Sequence, residues 1–201
     1  MTISSFYATE QLLEGNYEVA KQYLSKETQP LELAYAFFLS GEMSSVLALI
    51  DNMDSIRSNW LRELVNLVVT SKMQFVTYFQ IRNFLELDID LLIKANRIDY
   101  LEILLAYASK LSDVNSETYK LIGRVLFNCK LYSLSKNYLD LYKDMIYYDP
   151  EVHFIYTKLF MLEKDYHKAL TSINNCLAVL PAYYPALKLK KEVLALLDDN
   201  V

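Results

Sequence analysis

Apolar residues recur at spacings of three and four along nearly the whole chain. Trp60, Leu61, Leu64, Val65, Leu67 and Val68 set one such stripe, and Leu187, Leu189, Val193, Leu194, Leu196 and Leu197 set another. That period gathers apolar side chains on one face of an α-helix. Strict alternation, the mark of a half-buried strand, is almost absent. Pro30, Pro150, Pro181 and Pro185 each stand at the expected start of a helical segment, where a missing N–H costs nothing. Gly15 and Gly41 fall between segments. The pattern predicts an all-α chain of about thirteen helices, each of roughly ten to sixteen residues, joined by turns of about two to four.

Composition supports that reading. The 201 residues include only three Gly and four Pro, too few for a turn-rich sandwich or barrel, while 53% hydrophobic residues are ample for a core. A net charge of −5 offers no basic footprint for a phosphate backbone or an anionic membrane, so nucleic acid is not an expected partner and no membrane insertion is expected. No uncharged apolar run approaches about 18 residues, and neither a leader pattern nor an Asn-X-Ser/Thr sequon is present. The expectation is an intracellular, soluble protein, cytoplasmic or nuclear.

Catalytic chemistry finds little purchase. Three isolated glycines cannot cradle a phosphate. The two histidines, His153 and His167, stand well apart and outside any metal-binding pattern. The first is expected to pack and the second to face solvent. Cys129 and Cys176 are distant in the chain and form no CxxC, so both are expected as reduced, partly buried thiols. In Asp88-Ile89-Asp90 the carboxylates diverge at a two-residue helical spacing, and a role at a helix N-terminus explains them better than a metal does. No catalytic residue, cofactor or metal site is expected, and the chain is not expected to be an enzyme. Of the seventeen tyrosines, Tyr132, Tyr138, Tyr142, Tyr147, Tyr148 and Tyr156 form a cluster and Tyr183 and Tyr184 a pair. Core packing accounts for most of them, and interface contact for the remainder.

A repeat then emerges. Lys130-Leu131-Tyr132-Ser133-Leu134-Ser135 aligns without gaps on Lys164-Asp165-Tyr166-His167-Lys168-Ala169, so that Tyr132 and Tyr166 mark one repeat step. In 150–183, Tyr166, Ala169, Ile173 and Cys176 fall at second-helix signature positions, closed by Pro181. In 116–149 the corresponding residues are Gly123, Leu126, Tyr132, Ser135, Leu139 and Tyr142; the repeat resemblance named below implies a small residue at Gly123, where paired helices approach closely, and at Tyr142, where the chain departs from it. Ala8, Gly15, Tyr17, Ala20 and Leu24 fit an N-terminal unit, and Ala34, Phe37, Gly41 and Ile50 a second. On these residues, and on a repeat step equal to the family period, the chain resembles the tetratricopeptide repeat family, whose helix–turn–helix unit stacks because it cannot bury its apolar face alone. Second-helix positions are assigned to Tyr17, Met43, Phe75, Tyr100, Tyr132 and Tyr166, with the steps from Tyr17 to Met43 and from Phe75 to Tyr100 too short for a standard unit. The resemblance implies a single domain over 1–201, a right-handed α-solenoid of six helix pairs with a C-terminal capping helix at 184–198.

The resemblance also implies a use. First helices of this family line a concave groove that takes a peptide or a partner helix. The row comprises Glu117, Lys120, Arg124 and Phe127, then Glu151, Phe154, Lys158 and Met161, then Lys188 and Lys191. Alternating basic and apolar members suit a segment with acidic and apolar side chains. Charge reversal at Lys120 and Lys158 is expected to abolish capture without moving the melting curve. The family's clamp for chaperone C-termini is missing, because Lys120 fills one place while Arg124, Ile155, Pro185 and Leu189 occupy the other four. Three functions fit: a scaffold or adaptor subunit of a larger complex, a homodimeric scaffold, and a peptide- or cargo-binding chaperone. For the first, the chain looks similar to repeat subunits of the anaphase-promoting complex and to the coatomer epsilon subunit, the latter through Gly15-Asn16-Tyr17, Leu33-Ala34-Tyr35 and the helix Val46–Ile50.

Overall fold

The computed structural model describes residues 3–142 and 148–198, with side chains from Ser5 onward. Every regular element among them is helical: α1 (Ile3–Leu13), α2 (Tyr17–Tyr23), α3 (Pro30–Ser40), α4 (Met43–Ile50), α5 (Ile56–Thr70), α6 (Tyr78–Lys94), α7 (Ile98–Ala106), α8 (Ala108–Val114), α9 (Thr118–Asn128), α10 (Tyr132–Leu141), α11 (Pro150–Leu162), α12 (Tyr166–Val179) and α13 (Tyr184–Asp198). The all-α expectation holds. Pro30 and Pro150 open α3 and α11 as predicted, and Pro185 lies in the first turn of α13. Pro181 differs: it sits in the turn after α12, where a residue without an N–H ends a helix rather than starting one.

One turn is built five times. Gly15, Gly41, Asn96, Lys130 and Lys164 all adopt a left-handed backbone with φ between +54° and +88°. Each sits two residues before a helix start, at Tyr17, Met43, Ile98, Tyr132 and Tyr166. In every case the left-handed residue donates its N–H three residues back and its successor donates five back, as in Gly41 to Phe38 and Glu42 to Phe37. The same pair recurs as Lys130 to Phe127 with Leu131 to Leu126, and as Lys164 to Met161 with Asp165 to Phe160. These bonds satisfy the orphan carbonyls of the preceding helix and reverse the chain onto it. The last three turns are evenly spaced: Asn96 precedes Lys130 by the same step as Lys130 precedes Lys164, and that step is the one from Tyr132 to Tyr166. Two sequence assignments are corrected here. The helix expected at Tyr100 begins at Ile98, because the turn is set by Asn96, a residue type that tolerates the left-handed region. Phe75 starts no helix but lies exposed between α5 and α6, since the capping box of Thr77 and Gln80 fixes the start of α6 at Tyr78.

The chain divides into two compact units, Met1–Thr118 and Tyr119–Val201. In the first, α3 is apolar on almost every side, and Leu33, Ala34, Tyr35, Ala36, Phe38 and Leu39 are all buried. A helix apolar all round needs neighbours all round. Consecutive helices supply part of this cover and the α6–α7 pair supplies more. The Tyr35 hydroxyl donates to Asp88 of α6 at 3.3 Å, the Phe38 and Tyr100 rings lie 5.2 Å apart, and the Arg97 guanidinium donates to the Leu39 carbonyl. At the far end of α6, a Cβ built on Gly15 would stand 2.4 Å from the Lys94 carbonyl carbon. Only glycine permits that approach.

In the second unit, Gly123 meets the expectation drawn from the sequence. A Cβ there would lie 2.6 Å from two side-chain atoms of Leu139, and the Ser135 hydroxyl donates to the Gly123 carbonyl at 2.7 Å. Close approach of α9 and α10 thus rests on one absent methyl and one buried hydroxyl. Two apolar clusters follow, one around Leu139, Tyr142, Val152, Ile155, Tyr156 and Leu159, the other around Ile173, Cys176, Ala186 and Leu189. Full burial of each large side chain contributes roughly 1.5–3 kcal/mol. Of the tyrosine cluster, Tyr142 and Tyr156 are buried, Tyr132 and Tyr138 half-buried and Tyr148 exposed, while Tyr147 lies outside the described residues. Tyr183 is half-buried beside the exposed Tyr184.

Candidate functional site

The second unit carries an apolar cleft of about 410 Å³ lined by Phe127, Tyr132, Lys158, Met161, Leu162 and Leu189. Four helices contribute: α9, α10, α11 and α13. Phe127 and Tyr132 flank the αL turn between α9 and α10, which brings their rings to 5.5 Å. Lys158, Met161 and Leu162 share one face of α11 through spacings of three and four. The Lys158 ammonium stands 4.6 Å from the Phe154 ring centre and 5.8 Å from that of Phe127, within reach of both π faces. Among the described residues it makes no ion pair. Leu162, at the rim, is 56% exposed.

The sequence-derived row therefore divides. Phe127, Lys158 and Met161 line the cleft, and Phe154 adjoins it through its contact with Lys158. Phe154 and Met161 also pack against the second apolar cluster, so both are partly structural. Lys188 and Lys191 are exposed on α13, where Leu189, not a lysine, reaches the cleft. Lys120 and Arg124 are engaged within the chain. Lys120 Nζ lies 2.9 Å from Asp149 Oδ2, with both side chains largely buried. Arg124 reaches both oxygens of Glu151, at 2.7 and 2.8 Å. Asp149 in turn caps α11, accepting from the N–H groups of Glu151 and Val152. Charge reversal at Lys120 would place a carboxylate against that cap, so an unmoved melting curve is not expected of a chain that carries it. Tyr132, Leu162 and Leu189 complete the cleft and were not in the row. Their signal was the apolar residue beside each turn or one step past a row position.

Electrostatics elsewhere in this unit serve packing. Burial, reinforced by the Asp140 carboxylate 2.6 Å from its hydroxyl, pushes the Tyr156 phenol far above its ordinary range. Burial also raises the Cys176 thiol, helped by the charge of Asp149, so it stays protonated. Both cysteines are free, Cys176 buried and Cys129 half-buried. His167 is exposed, whereas His153 is half-buried and lines a second cleft of about 360 Å³ with Tyr148, Asn175, Ala178 and Val179.

The first unit holds a polar node that the sequence placed elsewhere. Asp88 lies far along α6 and is buried, so it cannot serve a helix N-terminus. Its carboxylate accepts from Trp60 Nε1 at 2.5 Å, from both terminal nitrogens of Arg57 at 3.1 and 2.6 Å, and from Tyr35 at 3.3 Å. Burial outweighs these donors and raises the Asp88 carboxyl above its usual range, while it drives the Tyr35 phenol well above its own. Asp90, pointing the other way, pairs with Lys94 one turn on at 3.1 Å. The divergence of the two carboxylates is as expected; the helix-terminus role is not. Arg57 is sandwiched between the Tyr35 and Phe84 rings and also lines a cleft of about 210 Å³ between α1, α3, α5 and α6.

Among the described residues, no group of three or more His, Cys, Asp or Glu side chains could hold a metal ion, and no helix is long and apolar enough to cross a membrane. Comparisons with protein-family models, with curated proteins and with solved structures find no match.

Proposed function

We propose that this chain is a protein–protein interaction scaffold or adaptor without catalytic activity, built as a right-handed tetratricopeptide-like α-solenoid capped by α13, and that it serves as a subunit of a larger multiprotein complex. The observation that carries this reading is the fivefold turn: five helix pairs each closed by one residue in the left-handed region and by the same two backbone bonds, the last three of them evenly spaced along the chain. A repeated unit of that kind presents side chains in rows and stacks on its neighbours.

Affinity capture from a native extract with mass spectrometry tests the reading. A fixed set of partners in constant ratio is the expected result. Recovery of the chain alone, with a mass that grows with concentration in light scattering, would replace it with a homodimeric scaffold. The apolar cleft beside Lys158 favours one further reading, transient peptide or cargo binding, which salt-sensitive recovery of one small partner would support.

A further inference from the structure

We propose that the cleft of the second unit docks an acidic, apolar segment of a partner protein, with an aspartate or glutamate side chain meeting Lys158 Nζ and apolar neighbours seated on Phe127, Met161 and Leu162. The assignment rests on the interaction-module reading and gives it a site and a ligand chemistry. Its argument is charge complementarity. Four cations of this unit are matched by carboxylates of the same chain: Lys120 by Asp149, Arg124 by Glu151, Lys136 by Glu163 and Lys168 by Asp165. Lys158, the cation of the cleft lining, has no such carboxylate among the described residues, as is also so of Lys130, Lys164, Lys188, Lys190 and Lys191 outside the lining. Its ammonium is positioned by the Phe154 and Phe127 rings, and the cleft lining contains no carboxylate among the described residues.

An ammonium has three N–H donors, and π faces offset its charge without accepting those hydrogens as an oxygen does. A carboxylate brought to this position would gain a charge-assisted bond beside apolar walls, where water competes least. A basic segment would be repelled by the same group, and a purely apolar one would leave it desolvated without a partner. The rest of the cleft supplies the apolar half of the recognition, with Leu162 exposed at its edge.

The test is selection from a random displayed-peptide library on the full chain, followed by anisotropy titration of the enriched peptides. Enriched peptides should share an Asp or Glu flanked by Leu, Ile, Phe or Met. Lys158→Gln should weaken their binding about ten-fold, the equivalent of about 1.4 kcal/mol. Leu162→Asp, a change at an exposed position, should weaken it at least as much, with the melting curve of both variants unmoved. A chain carrying Lys158→Glu should instead prefer the peptide whose acidic residue is replaced by Lys. Enriched peptides without an acidic residue, or binding indifferent to both substitutions, would overturn the proposal. So would self-association that Lys158→Gln abolishes, since a second copy would then fill the cleft. The two readings fail separately. If the Lys158→Gln and Leu162→Asp chains capture the same stoichiometric set from an extract as the wild type does, and the peptides bind regardless, the adaptor reading stands and the cleft assignment falls. A wild-type chain that captures no fixed set and selects no acidic peptide removes both.

Discussion

The indole N–H of Trp60 donates to Asp88 Oδ2 at 2.5 Å, joining α5 to α6 across a fully buried contact. Arg57 and Tyr35 converge on the same carboxylate, so one charged group in the first unit ties together α3, α5 and α6. Removing one member of a buried ionic network leaves the others desolvated and unpaired. Asp88→Ala should therefore cost about 3–5 kcal/mol. Trp60, the only tryptophan, makes the measurement direct: its fluorescence should follow the loss in denaturant titration. A loss below about 1 kcal/mol would mean that the node is ornamental to this unit.

Packing of α9 on α10 invites a second test. With a built Cβ 2.6 Å from Leu139, Gly123→Ala should destabilise by about 1–3 kcal/mol through overpacking. Leu139→Ala alone should cost about 2–5 kcal/mol through its cavity. Combined, the new methyl enters the space the leucine vacates, so the double variant should lose less than the two single losses together. Strict additivity in urea unfolding would show that the helices do not meet there.

How much of this could be read beforehand follows from range along the chain. Helices were legible because the three-and-four period is local, and Gly123 because it falls where the repeat resemblance calls for a small residue between paired helices; that Leu139 and Ser135 are what it meets came only with the fold. The turn at Asn96 escaped because Asn96-Arg97-Ile98 shares no residue with Lys130-Leu131-Tyr132; what the turn needs is only a residue that tolerates positive φ. Phe75 misled as an aromatic near the right spacing, although Thr77 with Gln80 carried the true helix start. Asp88 was beyond sequence reasoning, since its partners come from two other helices. The basic row was legible and the neutralisation of Lys120 and Arg124 within it was not, because Asp149 and Glu151 reach them only once α11 packs beside α9.

Alkaline titration offers a third test. The Tyr156 phenol is raised by burial first and by the Asp140 carboxylate second. An acid whose folded value exceeds its unfolded one gives a stability contribution that is complete below the unfolded value, about pH 10 for tyrosine, and is lost as pH rises toward the folded value. Wild type and Tyr156→Phe should therefore differ by a constant amount from neutral pH up to about 9, the wild type losing stability faster beyond about 10. Parallel curves through the alkaline range would place the phenol in solvent.

The turn residues give the last and most local test. A left-handed backbone costs a side-chain-bearing residue roughly 1–2 kcal/mol, and glycine escapes most of that at some cost in chain entropy. Lys130 and Lys164 hold φ of +64° and +60°. Lys130→Gly and Lys164→Gly should each therefore stabilise the protein, by about 0.5–1 kcal/mol. The reverse changes separate two causes. Gly41→Ala meets only a hydroxyl 3.5 Å away, so its loss should reflect the backbone alone, about 1–2 kcal/mol. Gly15→Ala adds a collision with the Lys94 backbone, which cannot rotate aside, and should cost distinctly more. Equal losses at Gly15 and Gly41 in chemical denaturation would mean that α6 does not end against the first turn of the chain.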